Sequence, residues 1–246
     1  MGSLSKEAMI RQILVITDGY SNIGEDPIQC ASEARRQGIV VNVIGVVDKG
    51  EMGVVGRDEA MSIADAGGGM CRIVHPVDLS ATAQMMTHQT MQMTLQQVVN
   101  QELQSVMGKS TEELPPADRS RVMQVVDKLE EEVGLHVVVA IDTSASMKDK
   151  IPTVREAVRD LALSLQVRLG TSQVAVIAFP GAGEQSTKLV QDFSDEVDMQ
   201  GLEASLQARG GTPTGPAIRH AISLLKQLRH DTSSVEFEDG PRRDYA

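Results

Sequence analysis

The sequence predicts an α/β fold with a doubly wound, mostly parallel sheet. Three observations lead there. Short apolar runs rich in β-branched residues recur at 13–17, 40–47, 137–141 and 174–179, and runs of this length read as fully buried strands. Segments with helical apolar spacing lie between them, the alternation that builds parallel βαβ units. Two of the strands run straight into a carboxylate, Asp18 and Asp142, and in open α/β sheets ligands bind outside the carboxyl ends of the strands.

In chain order, the strand at 13–17 ends in Asp18-Gly19. Asp26-Pro27 then supplies a helix cap and a first-turn proline, and Gly38 a C-terminal stop. The strand at 40–47 follows. A short helix over 58–66 is stopped by Gly67-Gly68-Gly69 and leads to a strand near 70–74. One long helix is predicted over 80–107, with Met86, Met91, Leu95, Val99, Leu103 and Val106 as its stripe. A polar loop ending in Pro115-Pro116 separates it from a helix over 117–133, whose face is Val122, Val125, Val126, Leu129 and Val133. After Gly134 comes the strand that ends at Asp142. A helix over 152–169 carries Val154, Val158, Leu161, Leu165 and Leu169 inward, and the strand at 174–179 is broken by Pro180-Gly181. Lys188-Leu189-Val190 suits a short antiparallel edge strand, and 197–208 a helix. The turn from Gly210 to Pro216 feeds a last helix through Leu228, and the charged tail from 230 to 246 reads as mobile.

Composition narrows the function. With 23 basic and 34 acidic residues the net charge is −11, which argues against nucleic acid or an anionic membrane as partner. No apolar run approaches the roughly 18–20 residues that span a bilayer. The first residues carry no apolar signal core, and Lys6 departs from the myristoylation pattern. A cytoplasmic location is the expectation. Cys30 and Cys71, in a predicted helix and a predicted strand, give no disulfide framework. Gly108-Lys109-Ser110 lacks the first glycine and the preceding strand of a P-loop. The histidines at 75, 88, 136, 220 and 230 lack paired zinc spacing. The methionine-rich stretch 85–93 reads as core, with an adaptable partner surface as the alternative.

The chemistry-bearing residues lie in three short stretches. Asp142-Thr143-Ser144-Ala145-Ser146 puts a carboxylate and two hydroxyls at alternating positions after a buried strand. Gly211-Thr212-Pro213 opens a helix, and Thr17-Asp18-Gly19 closes another buried strand. Each alone has an ordinary reading: a helix cap for the first, turn residues for the others. Together they resemble the three motifs of the metal-ion-dependent adhesion site of von Willebrand factor A domains. The resemblance implies a Rossmann-like sheet and a ligand set of Asp142, Ser144, Ser146, Thr212 and Asp18. Such an all-oxygen set suits Mg²⁺, or Mn²⁺ or Ca²⁺, rather than zinc. Its mode of binding is then a cation that accepts an Asp or Glu carboxylate from a partner protein, without catalysis. The arrangement also resembles, over nearly the whole chain, von Willebrand factor A proteins of endospore-forming bacteria, which implies a sporulation-related context.

The motifs stand in the wrong order, because the family's third comes first here. Residues 135–229 resemble the family's first half and 11–79 its second. One circularly permuted domain over 1–246, with a helical bridge over 80–134, restores the usual succession. It implies the strand order 188, 174–179, 137–141, 13–17, 40–47, 70–74. Two truncated half-domains are the weaker alternative, since each would leave an open sheet edge. Two chains exchanging halves to build the same site stays open as well, as a domain-swapped dimer. The competing functions are a metal-dependent phosphoesterase with Asp142 and Asp18 as ligands, and a metal-free scaffold.

Overall fold

The computed structural model describes residues 9–47 and 53–234, and side chains through 228. The elements are β1 (Met9–Thr17), α1 (Pro27–Arg36), β2 (Ile39–Val46), α2 (Val54–Ala66), β3 (Gly68–Val74), α3 (Leu79–Met107), α4 (Pro116–Glu132), β4 (Gly134–Asp142), α5 (Ile151–Gln166), β5 (Ser172–Phe179), β6 (Lys188–Ser194), α6 (Met199–Ser205) and α7 (Thr214–Ser234). Six strands form one sheet in the order β3-β2-β1-β4-β5-β6. All pairings are parallel except β5 with β6. This is the predicted strand order, with the ends of β1 and β4 side by side at its centre.

Both faces of the sheet are covered, which is why the central strands are continuous apolar runs rather than alternating ones. The strand period of two divides their side chains between two cores. Val137, Val139 and Ile141 of β4 pack with α3, α5 and α6, through Leu79, Met86, Leu95, Val154, Leu161 and Leu202. Val138 and Ala140 of β4 and Ile13 and Val15 of β1 point the other way. There they meet α1, α2 and α7, whose buried faces set the alanines Ala31, Ala34, Ala60, Ala64, Ala217 and Ala221 beside larger residues such as Ile63, Ile218 and Leu225. Small side chains let these helices lie close over the sheet.

Several boundaries moved. Helix α2 starts at Val54, four residues before the predicted start. Its cap is Gly53, which makes no side-chain cap bond, and Val54 and Val55 are exposed, so neither capping chemistry nor an apolar face marks the first turn. Helix α5 ends at Gln166, leaving Leu169 outside it and 78% exposed; the predicted stripe ran one turn too far. Helix α6 keeps only Met199–Ser205 of the predicted 197–208. Helix α7 continues past Leu228 to Ser234, and the rest of the predicted mobile tail, 235–246, lies outside the described residues.

The predicted bridge also divides differently. The first half of α3 belongs to the sheet's own helical layer: Leu79, Ala83, Met86, Met91 and Leu95 are buried in the core. Two polar contacts fix it there. Gln12 Nε2 donates to the Thr87 carbonyl at 3.2 Å, and Asn42 Nδ2 to Thr90 Oγ1 at 3.0 Å. With 29 residues the helix is about 43 Å long, whereas nine-residue strands such as β1 span about 30 Å. Its last turns therefore overhang the sheet, and Val98, Val106 and Met107 are exposed. Helix α4 leans on this overhang with Val126 as its buried residue, while Val125 is exposed. The methionine stretch splits in the same way, with Met86 and Met91 buried and Met85 and Met93 at the surface.

Candidate functional site

Parallel strands β1 and β4 are neighbours, but the chain leaves them in opposite directions across the sheet, from β1 to β2 and from β4 to β5. Their C-terminal loops diverge, and the crevice between them is the switch point at which doubly wound sheets bind ligands. Asp18 follows β1, Asp142 closes β4, and Thr212 lies two residues before α7. Sequence separation vanishes there: Ser146 Oγ donates to Asp18 Oδ1 at 2.8 Å across 128 residues.

Four of the five predicted residues form a continuous hydrogen-bonded chain. Asp142 Oδ1 accepts from the Ser144 backbone N–H at 2.8 Å. Ser144 Oγ and Ser146 Oγ are 3.1 Å apart, and Ser146 reaches Asp18. Thr212, also buried, joins through its backbone. Its N–H donates to Asn22 Oδ1 at 2.8 Å, and its carbonyl accepts from Asn22 N–H at 3.1 Å and from Ser21 Oγ at 3.2 Å. Arg209 N–H to the Thr143 carbonyl, 2.7 Å, ties the same loop to the Asp142 segment. Glycine is required where the loops touch: a Cβ on Gly211 would stand 2.7 Å from Asn22 Oδ1, and one on Gly215 2.0 Å from the Glu25 carbonyl oxygen.

The ordinary capping reading of Asp142-Thr143-Ser144-Ala145-Ser146 does not hold. The residue at the N-cap of α5 is Lys150, and it makes no side-chain cap bond. The hydroxyls and the carboxylate turn toward the crevice instead.

Asp142 is fully buried, and this burial pushes its carboxyl up from 3.8 to about 6. Hydrogen bonds from Thr17 and Ser144 oppose the rise, and the charge of Asp18 adds to it. Glu59 of α2 reaches the rim, where its Oε2 accepts from the Ser21 N–H at 2.6 Å, and burial raises its carboxyl also. A buried carboxylate with no positive partner of its own is costly in the ionised form.

The donor set fits a small hard cation. In a Mg²⁺ octahedron with bonds of 2.0–2.1 Å the ligand–ligand edges are about 2.9 Å, and the Ser144–Ser146 and Ser146–Asp18 separations are 3.1 and 2.8 Å. Among the described residues no three His, Cys, Asp or Glu side chains converge anywhere, so a cation here would be held by two carboxylates and by hydroxyls.

Besides Asn22, sequence reasoning missed two further members of the site. Thr17 Oγ1 donates to Asp142 Oδ2 at 2.7 Å, and Lys150 Nζ lies 2.6 Å from Asp18 Oδ2. Thr17 was within the quoted motif but read as the last strand residue. Lys150 lies in a basic-acidic-basic run, Lys148-Asp149-Lys150, whose local pattern says only that it is polar.

A von Willebrand factor type A domain model matches residues 137–240, from β4 onward. Protein YabS of Bacillus subtilis, described as uncharacterized, is 47% identical over 223 residues, covering 89% of this chain and 91% of that one. The chain belongs to the von Willebrand factor type A family. A crystal structure of an uncharacterized protein from Alicyclobacillus acidocaldarius is 71% identical. It superposes with a TM-score of 0.91, covering 94% of this chain and all of that one. The family model thus begins at the strand that carries the Asp142 motif, and β1 to β3, which carry Asp18, lie outside its match. Both Cys30 and Cys71 are free thiols, and none of the described helices is long and apolar enough to cross a membrane.

Proposed function

We propose that this chain is a metal-dependent protein-binding module. In this reading Asp142, Ser144, Ser146, Thr212 and Asp18 hold a Mg²⁺-type cation, with Mn²⁺ and Ca²⁺ as substitutes, and the cation takes an Asp or Glu carboxylate from a partner protein. The observation that carries it is the hydrogen-bonded series Asp142–Ser144–Ser146–Asp18 at the switch point of the sheet, in which the Ser144–Ser146 and Ser146–Asp18 side-chain oxygens are spaced like octahedral edges. The hydroxyls are neutral, the two carboxylates at most neutralise the ion, and the five donors leave a sixth octahedral position open to an external anionic oxygen. The bound cation supplies electrostatic attraction for that oxygen. The protein's part is to fix the donors: Thr17 orients Asp142, Asn22 and Ser21 hold Thr212, and Glu59 holds the Ser21 turn.

A binding role suits the site better than hydrolysis. The histidines at 75, 88, 136 and 220 contact Val47, Glu130, Phe193 and Thr187, away from the crevice, so none stands by as a general base. The proposal includes the cytoplasmic, sporulation-related setting expected from the sequence. It also includes a circularly permuted origin, supported by the family match that starts at β4.

The test is thermal unfolding with Mg²⁺ and with EDTA. A ligand that binds only the folded state stabilises it by mass action, about 2.7 kcal/mol at a hundredfold excess over Kd. Wild type should melt higher with Mg²⁺, and Asp142→Ala and Asp18→Ala should each abolish the shift. A full Mg²⁺ response in Asp18→Ala would refute a site shared between β1 and β4.

A further inference from the structure

Both oxygens of Asp18 are engaged by the chain itself, Oδ1 by the Ser146 hydroxyl and Oδ2 by the Lys150 ammonium at 2.6 Å. The ammonium makes a second bond, to the Ser146 carbonyl at 3.1 Å. The pair is enclosed: the Lys150 side chain is 13% exposed and that of Asp18 5%.

Helix chemistry does not account for this lysine. It occupies the N-cap of α5, where Ser, Thr, Asp and Asn are favoured because they accept from the first free N–H groups. A positive charge at that end opposes the helix dipole, and Lys150 offers no cap bond in return. What stabilises it there is Asp18.

We infer that Lys150 is a tethered counter-cation of the site: its ammonium holds Asp18 while no metal is bound and leaves it when a divalent cation enters. The inference rests on the metal-site reading above and adds to it the residue that sets the affinity. A cation bound among Asp142, Ser144, Ser146 and Asp18 shares the Asp18 carboxylate with the ammonium, and the two positive centres repel. The four-carbon stem lets the ammonium swing outward to water. Loading then breaks a semi-buried ion pair, and the observed affinity falls by the fraction of molecules in which Asp18 is released. In the metal-free protein the same ion pair keeps Ser146 and Asp18 in position.

The test uses Mn²⁺ as probe, titrated calorimetrically into wild type, Lys150→Met and, as control, Lys148→Met at an exposed site two residues away. Lys150→Met should bind Mn²⁺ about tenfold more tightly, because no competing pair must open. Lys148→Met should stay within about twofold of wild type, since a solvated charge is screened. A second arm needs no variant: lysines of the wild-type chain are acetylated with a limiting amine-reactive ester and read by mass spectrometry. Lys150 should label slowly in EDTA and several-fold faster with saturating Mn²⁺, with Lys148 unchanged. If wild type binds Mn²⁺ but Lys150→Met binds no tighter, or Mn²⁺ leaves the Lys150 labelling rate unchanged, the counter-cation inference falls and the metal site stands. If neither wild type nor Lys150→Met binds Mn²⁺, both readings fall together.

Discussion

Replacing Asp142 by asparagine should stabilise the metal-free protein at neutral pH, although it removes the central residue of the site. Burial first, and the nearby charge of Asp18 in smaller part, raise the Asp142 carboxyl from 3.8 to about 6. In the unfolded chain it titrates near 3.9. Because the folded value is the higher one, the folded state keeps the proton that the unfolded state releases between about pH 4 and pH 6. The stabilisation from protonated Asp142 is complete below about pH 4 and lost as pH rises through about 6. At about 1.36 kcal/mol per pH unit, the loss by pH 7 is about 3 kcal/mol. Asparagine keeps the shape without the charge. Its carbonyl serves the Ser144 N–H, and its amide faces Thr17 Oγ1, whose own proton can turn to the Gly19 carbonyl 3.4 Å away. The raised value already counts the charge-assisted bonds from Thr17 and Ser144, so the gain is about 3 kcal/mol, or roughly 6–12 °C in Tm for a chain of this size. Thermal unfolding in EDTA should show Asp142→Asn melting above wild type near pH 7, with the lead gone near pH 4. Saturating Mg²⁺ should reverse the order, because only wild type gains from it. A variant that melts at or below wild type at pH 7 in EDTA, or a difference that ignores pH, would show that the buried carboxylate is not under strain.

Two further changes probe the surroundings. Asn22→Ala removes the acceptor of the Thr212 N–H and should cost about 1–2 kcal/mol in urea unfolding; it should also shrink the Mg²⁺-induced rise in Tm, and an undiminished rise would detach Thr212 from the metal. A rearranged chain with residue 229 joined to residue 11 and new ends opened near 110, in the loop between α3 and α4, should unfold in one cooperative step with the parent's Mg²⁺ response; loss of that cooperativity would count against the permuted reading.

The strand order was legible through the resemblance: the carboxylates closing the β1 and β4 runs matched them to the family's third and first motifs, and the family's strand order then made them neighbours. Burial of the central strands was legible for the same reason that they lack alternation. The helices were harder. The stripe on α3 is periodic along its whole length, but periodicity reports a face, not whether the sheet extends far enough to cover it. Leu95 is buried and Val106 is not, and only the lengths of helix and strand separate the two. Leu169 failed similarly: it continues a helical spacing beyond the point where α5 stops. In the site, Asp142, Ser144, Ser146, Thr212 and Asp18 were singled out through the resemblance to the family's motifs, and the structure brings these five to one crevice. Thr17, Asn22 and Lys150 were not legible, because their roles arise from contacts between segments 125, 190 and 132 residues apart in sequence. No local pattern encodes such contacts.

The charge of the chain bears on how such a module would work. At net −11 it repels an acidic partner at long range, and low salt strengthens that repulsion. The unloaded crevice does little to reverse it, since Lys150 is committed to Asp18 and Asp142 has no cation of its own. In the proposed mode a divalent ion would change both terms: it would set two positive charges against the carboxylates of Asp142 and Asp18, and by displacing Lys150 it would free a third beside them. A partner carboxylate would then meet a local positive field on a surface that is otherwise negative. Specificity would follow from that contrast, because an acidic side chain would gain from the loaded crevice alone and be disfavoured over the negative remainder of the surface. The affinity of the module for its partner should accordingly depend on metal more steeply than the loss of one coordination bond would suggest, and Lys150→Met should weaken partner binding even as it tightens metal binding.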